Sequence, residues 1–406
     1  MNVVLLHYTA YPIVGGVENV VRQHSRMMAE AGHRVRLVAG RGAQVDSNVK
    51  FVSMPLVDSQ APEILGLKRE LDAGALPAGF EQLSSRIEMQ LRELIVDAEW
   101  ILAHNVCSLN KNLALTAALW RLSQAPDPPR IALWHHDLAW TTARYRPELH
   151  DGYPWDLLRT DWPRAQQVTV SKHRRHELAE LMGIPEGRIR VVPNGIDAAA
   201  FLKIGSEAAA HVGEFHLLDA MPLILAPVRI TRRKNIELSL RILARLLKRF
   251  PLARLVITGP IGPHAPANAE YLESLNSLRH DLGLMDSTLF LSLAAGKPVS
   301  DEAVGDLYRL ADVLLYPSRE EGFGIPILEA GLAGIPVFCS DIQPLRELGL
   351  DDVTYFSPEG DPASVAEQIG SALGVSGRYA LRKRVLREYA WSHIYAQHLA
   401  PLLEGK

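Results

Sequence analysis

The chain has 406 residues, 48% of them hydrophobic, which is enough for two or three domains with cores of their own; two are expected. Its 43 Lys and Arg against 46 Asp and Glu leave a formal charge of −3, so no global field draws it to nucleic acid, and membrane contact is expected to be peripheral at most. Its two cysteines, Cys107 and Cys339, lack metal-ligand spacing, VVLLHY at the start has no basic leader, and no apolar run reaches the roughly 18 residues of a membrane span, so a cytoplasmic protein is expected.

In chain order, Val3 to Tyr8 reads as a buried strand, YPIVGGVE as a loop, Asn19 to Ala31 as a helix ended by Gly32, and Val35 to Ala39 as a second strand. Such a β-α-β start predicts a parallel sheet covered by helices. Gly15 and Gly16 stand where strand hands over to helix, the place where these folds offer backbone amides to phosphate, although a plain tight turn explains them equally. Pro62, Gly66, Gly74, Pro77 and Gly79 break the pattern over residues 57–82 and predict a surface insertion, closed by a helix from Glu81 to Ala98.

Trp100 to His104 and Ile131 to Trp134 are the next strands, with a helix from Leu109 to Leu122 between them. They end on His104 and Asn105, and on His135, His136 and Asp137, which in an open parallel sheet point to the ligand crevice. Trp100, Trp120, Trp134, Trp140, Trp155 and Trp162 crowd the first half. Aromatic rings can stack on the apolar face of a sugar, so Trp140, His104 and His135 are candidate acceptor-binding residues, with core packing as the alternative. Ser171 caps a predicted helix from Lys172 to Met182; His173 and His176 on it have no third ligand, so no metal site is expected. Val168 to Val170 and Ile189 to Val192 are strands, and PNGID follows. The alternation lapses over residues 200–217. Domains are therefore expected at 1–200 and 201–385, with a helical tail at 386–406 packing toward the first.

The second half restarts with Leu223 to Val228 as a strand, then Arg229, Arg232, Arg233 and Lys234, then a helix from Asn235 to Phe250. Cations at a strand end and helix start gain nothing from the helix dipole, so an anion explains them better. Strands follow at Ala253 to Thr258, Leu289 to Leu291, Val313 to Tyr316, Pro336 to Cys339 and Val353 to Phe356, and Asp361 caps a helix running to Leu373; two more helices finish the chain. Within this half EGFGIPILE, Glu321 to Glu329, puts one carboxylate in a glycine-bearing loop and another about one turn into a helix that Pro326 can start. Amides bared by Gly322 and Gly324 suit a phosphate, and carboxylates can accept two hydroxyl protons, so the ligand expected here carries both groups.

GGVE at 15–18, HHD at 135–137, PNGID at 193–197, Arg229 with Lys234, EGFGIPILEA at 321–330 and GIPVFCSD at 334–341 together make the chain resemble the retaining glycosyltransferases of family 4. The resemblance implies an α/β GT-B fold, two Rossmann-like parallel-sheet domains facing a central cleft. By the same resemblance Glu329 would take the ribose hydroxyls of a sugar nucleotide, UDP or GDP being the favoured carriers. Glu321, with the loop through Gly322, Phe323, Gly324 and Ile325, would hold the donor sugar, while Arg229 and Lys234 would neutralise the leaving diphosphate. Gly15 and Gly16 would close over the donor, and His136, or His135 one place before it, matches the family's histidine near the sugar. No metal or cofactor is implied. Acceptors in such a family include small sugars, polyols, glycerate-like acids and lipids. A nucleotide-sugar epimerase, a sugar phosphorylase and a sugar-nucleotide-binding protein without turnover are the alternatives.

Overall fold

Unbroken apolar runs such as VVLL at 3–6 and VLLY at 313–316 have no polar face to turn to water, so they belong in strands covered on both sides. In the computed structural model, which describes residues 1–262 and 267–405, both runs are central strands. The chain divides into two units, one of residues 1–195 with 389–405 and one of residues 196–388.

The first unit holds β1 (Asn2–Leu6), β2 (Arg34–Ala39), β3 (Val49–Ser53), β4 (Trp100–His104), β5 (Arg130–His135), β6 (Ala165–Thr169) and β7 (Ile189–Val191) in the order β3-β2-β1-β4-β5-β6-β7. The second holds β8 (Leu223–Ala226), β9 (Arg254–Ile257), β10 (Thr288–Phe290), β11 (Val313–Tyr316), β12 (Val337–Ser340) and β13 (Thr354–Phe356) in the order β10-β9-β8-β11-β12-β13. Every strand pair in both sheets is parallel. In each sheet the strand order reverses once, between β1 and β4 and between β8 and β11. Ligands of open parallel sheets bind at the carboxyl side of that reversal. Among the described residues no helix is long and apolar enough to cross a membrane.

Five expectations are corrected. Residues 57–82 are not a patternless insertion: they include the helix Pro62–Asp72, with Ile64, Leu71 and Phe80 buried, because a proline in the first turn starts a helix rather than breaking it. The strand β3 was not expected at all. The first helix begins at Gly16, three residues earlier than expected, so Glu18 lies in its first turn.

The tryptophans are core rather than an acceptor platform. Trp100, Trp134, Trp140, Trp155 and Trp162 are all buried, Trp140 at 7% exposure, and Trp120 packs edge-on against Trp162 at 5.1 Å. Rings of that area contribute most when removed from water. Toward the end of the chain the expected single helix is instead two short helical pieces, Trp391–Ile394 and Ala400–Glu404, around a π-helical turn at Tyr395–Leu399. Pro401 lacks the N–H that would continue an α-helical ladder there. This segment packs in the first unit: Trp391, Leu399, Leu402 and Leu403 are in its core, and Trp100 Nε1 donates to the Leu403 carbonyl at 3.0 Å.

Candidate active site

The loop after β8 carries the basic group and is fixed on two sides. Ile230 bridges Ile261 in parallel, its N–H donating to the Pro260 carbonyl at 3.0 Å, and a Cβ on Gly259 would collide with the Val228 carbonyl, so the loops after β8 and β9 run in close contact. Asn235, fully buried at φ 52°, donates from Nδ2 to the carbonyls of Pro317 (3.0 Å) and Pro358 (2.8 Å), and Arg319 N–H donates to the Arg233 carbonyl at 2.8 Å. The basic loop is thereby tied to the loop that follows β11.

That tie brings six expected residues together. A cavity of about 550 Å³ at the carboxyl ends of β8 and β11 is lined by Arg229, Lys234, Glu321, Phe323, Gly324 and Ile325 among others. Gly322 and Glu329 are not among its lining residues. Arg229 is exposed and, among the described residues, has no hydrogen-bond or ion-pair partner. Lys234 is only 9% exposed; its ammonium donates to Glu321 and, at 3.3 Å, to the Tyr316 hydroxyl, while Arg233 lies 3.7 Å from the other Glu321 oxygen. Burial pushes the Lys234 pKa down, with Glu321 opposing it. Burial pushes the Glu321 carboxyl up, but hydrogen bonds from Lys234, Ser318 and Tyr316 more than offset this and hold it below its ordinary value. A larger cavity, about 820 Å³, opens at the amino ends of β4 and β5 around Trp100 and Arg130, the wrong end of the sheet for a ligand of this fold.

The helix Ile325–Ala333 follows the loop where expected, with Pro326 in its first turn and Gly324 as its N-cap. Gly324 has φ 109°, and a Cβ there would lie 2.5 Å from Leu345 Cδ2. Gly324→Ala is therefore expected to cost about 1–3 kcal/mol of stability through backbone strain. Chemical denaturation checks this, and an unchanged midpoint would show that the loop has a second conformation free of that strain. Glu329 lies at the fifth position of the same helix, its Oε2 accepting a 2.6 Å hydrogen bond from Tyr308 on the helix Asp301–Leu310.

In the first unit, histidines gather at the carboxyl ends of β1, β4 and β5. His135 is fully buried and both its nitrogens are engaged, Nε2 donating to the Gln167 amide oxygen at 2.8 Å and Nδ1 accepting from Ser108 at 2.7 Å. It has no capacity left for an acceptor, which overturns that expectation. His104 is equally buried, stacked on Trp134 at 4.8 Å, so it too is enclosed rather than offered to a ligand. Its Nδ1 lies 3.2 Å from His136 Nε2. His136 is partly exposed and is held by Asn105, whose side-chain oxygen accepts from the N–H groups of His136 (3.0 Å) and Asp137 (3.1 Å).

Sequence reasoning gave no role of their own to Glu18, His7 and His24. The Glu18 carboxylate accepts from Thr9 at 2.6 Å, lies 3.8 Å from His7 Nε2, and fills the place that a Cβ on Gly15 would need. The His7 ring first, then Thr9, hold the Glu18 carboxyl down at about 2 against its burial. Gly16 has open space beside it instead. Trp140, the remaining acceptor candidate, is covered by Arg159 at 3.9 Å from its ring centre. His176 pairs with Glu186 at 3.1 Å, and among the described residues no three His, Cys, Asp or Glu are grouped as metal ligands.

Residues 14–200 match the model of the family described as Glycosyltransferase Family 4, and residues 215–385 match that of Glycosyl transferases group 1. The chain belongs to the family 4 glycosyltransferases. Among relatives of this family 4 chain, the D-inositol 3-phosphate glycosyltransferase of Nocardia farcinica is 30% identical over 238 residues, covering 56% of this chain and 50% of that protein. The mannosylglucosylglycerate synthase of Thermotoga maritima is 26% identical over 389 residues, 87% of this chain and 85% of that protein. The chain spans about half the length of the D-inositol 3-phosphate glycosyltransferases matched first. The solved structure of Anabaena Alr3699/HepE with UDP is 15% identical across all of both chains, at a TM-score of 0.36, a likeness too loose to place side chains.

Proposed function

We propose that this family 4 chain is a retaining hexosyltransferase that moves a hexose from a nucleoside-diphosphate sugar to a hydroxyl acceptor without a metal ion. The observation that carries the reading is the cavity at the β8 and β11 reversal, where an unpaired arginine, a buried lysine and a carboxylate converge. Breaking a glycosyl phosphate bond builds negative charge on the diphosphate, and cations already fixed there stabilise it without reorganisation. Arg229 and Lys234 take that role. Lys234 is held by Glu321, so a diphosphate competes for the ammonium and releases the carboxylate toward the sugar hydroxyls. The Phe323 and Gly324 amides and Ile325 complete the sugar's wall, and Glu329 takes the ribose hydroxyls. Retention follows from same-face attack, in which the departing phosphate accepts the proton of the acceptor hydroxyl, so no carboxylate has to act as a nucleophile.

The acceptor is assigned to the first unit, near His136 and the Glu18 carboxylate. The names of the relatives, a D-inositol 3-phosphate glycosyltransferase and a mannosylglucosylglycerate synthase, favour a small polyol, sugar or glycerate-like acceptor over a lipid. A panel of UDP-, GDP- and ADP-sugars, scored by thermal shift and by nucleotide release with mixed acceptors, is expected to show one nucleotide raising the melting temperature and turning over only with acceptor present. Release that depends on inorganic phosphate, or an epimerised donor formed with no acceptor, would replace transfer with another activity.

A further inference from the structure

Glu329 is a long side chain on a half-open helix surface, with Leu328 and Leu332 beside it exposed to solvent. Left alone it would sample several rotamers, and a ligand that needs one of them would bear the cost of ordering it. Tyr308 removes that freedom. Its ring is 3% exposed, buried on the inner face of the helix Asp301–Leu310 together with Ala303, Leu307 and Leu310, and its hydroxyl reaches Glu329 Oε2 at 2.6 Å. The same hydroxyl lies 3.4 Å from the Pro326 carbonyl, in the first turn of the helix that carries Glu329, so one phenol braces both the carboxylate and the turn beneath it. Packing alone would be served by phenylalanine; among the described residues the hydroxyl has no other partner.

We propose that Tyr308 is a positioning residue that sets the site's discrimination between ribose and deoxyribose, by holding the Glu329 carboxylate where it can accept both hydroxyls of a ribose. This rests on the reading of Glu329 as the ribose acceptor. A carboxylate offers about four lone-pair positions. Tyr308 occupies one and a vicinal diol needs two, so the three hydrogen bonds can coexist on Glu329 with one position left for solvent. Burial and the facing carboxylate both push the Tyr308 hydroxyl well above its ordinary pKa, so it stays a donor at any pH the protein tolerates.

The test is calorimetric binding of UDP, GDP and ADP, and of their 2′-deoxy forms, to the full chain and to Tyr308→Phe. The wild-type protein is expected to prefer the ribonucleotide. Tyr308→Phe is expected to weaken it about tenfold, the scale of one side chain no longer held in place, while the 2′-deoxy form changes by no more than about twofold. The preference then largely disappears. Phenylalanine keeps the ring packing, and the variant's thermal unfolding checks this. A variant with the wild-type preference intact, or with both nucleotides weakened equally, would reduce Tyr308 to a structural residue. A wild-type protein that binds both forms alike would instead remove the reading of Glu329, and this inference with it.

Discussion

Arg229→Ala is expected to lower turnover by about 100-fold to 1000-fold, the usual loss when one fixed donor to a developing charge is removed, with no change in thermal unfolding. The two halves of that expectation come from one observation: Arg229 is exposed on the cavity wall and, among the described residues, bonds to nothing, so the folded state does not depend on it. Lys234→Ala is expected to match it in turnover but not in stability. Lys234 is buried, and removing it leaves the Glu321 carboxylate, 7% exposed at the side chain, with Arg233 at 3.7 Å as its nearest cation. An uncompensated buried charge costs about 3–5 kcal/mol when its partner is removed outright, an upper bound here because Arg233 and Tyr316 remain. Nucleotide release under saturating donor and thermal unfolding of both variants separate the two effects. Near-normal turnover in either variant would remove that cation from the diphosphate.

The strands that frame this site are legible in the sequence because they are continuous apolar runs; Val313 to Tyr316 is predicted with the ends it has. The caps are legible for a local reason as well: Ser171 accepts from Arg174 N–H at 3.1 Å and Asp361 from Ser364 N–H at 3.1 Å, contacts that involve only neighbouring residues. What the sequence cannot settle is register. β5 runs one residue further than the apolar run suggests, to His135, whose side chain therefore shares a face with Ile131 and Leu133 and is buried, leaving His136 as the histidine on the open side. A one-residue shift exchanges the faces of a strand, which is why HHD alone is ambiguous.

Tyr308 was invisible for another reason. It is 21 residues from Glu329 and on another helix, so only tertiary packing brings them together. His24 could have been found, since Val20, His24 and Met28 form a helical stripe and all three are buried.

Stability of the first unit is expected to fall steeply between pH 7 and pH 5, by about 1 kcal/mol per buried histidine per pH unit. Burial holds His24 and His136 at about 3 and His135 at about 4, and pushes His104 well below its ordinary value. The unfolded chain protonates these rings near pH 6.5, so below that pH unfolding takes up protons that the folded state refuses. The stabilisation is complete above pH 6.5 and is lost as pH falls toward the folded values; below about 4.5 the Glu18 carboxyl, held at about 2, adds a loss of the same sign.

All seven tryptophans lie in the first unit, so their fluorescence during denaturation reports this unit alone. His24 provides the internal control. Among the described residues neither of its nitrogens has a hydrogen-bond partner, and it packs against His104, Trp134 and Trp391 at ring distances of 5.5, 4.9 and 5.5 Å. An apolar side chain of similar size satisfies that environment without a titrating group. His24→Leu is thus expected to hold its stability at pH 7 and to flatten the slope between pH 7 and pH 5 by one histidine's share, about 1 kcal/mol per pH unit. A stability that does not change between pH 7 and pH 5 in the unmodified protein would mean that the cluster admits water and protonates while folded.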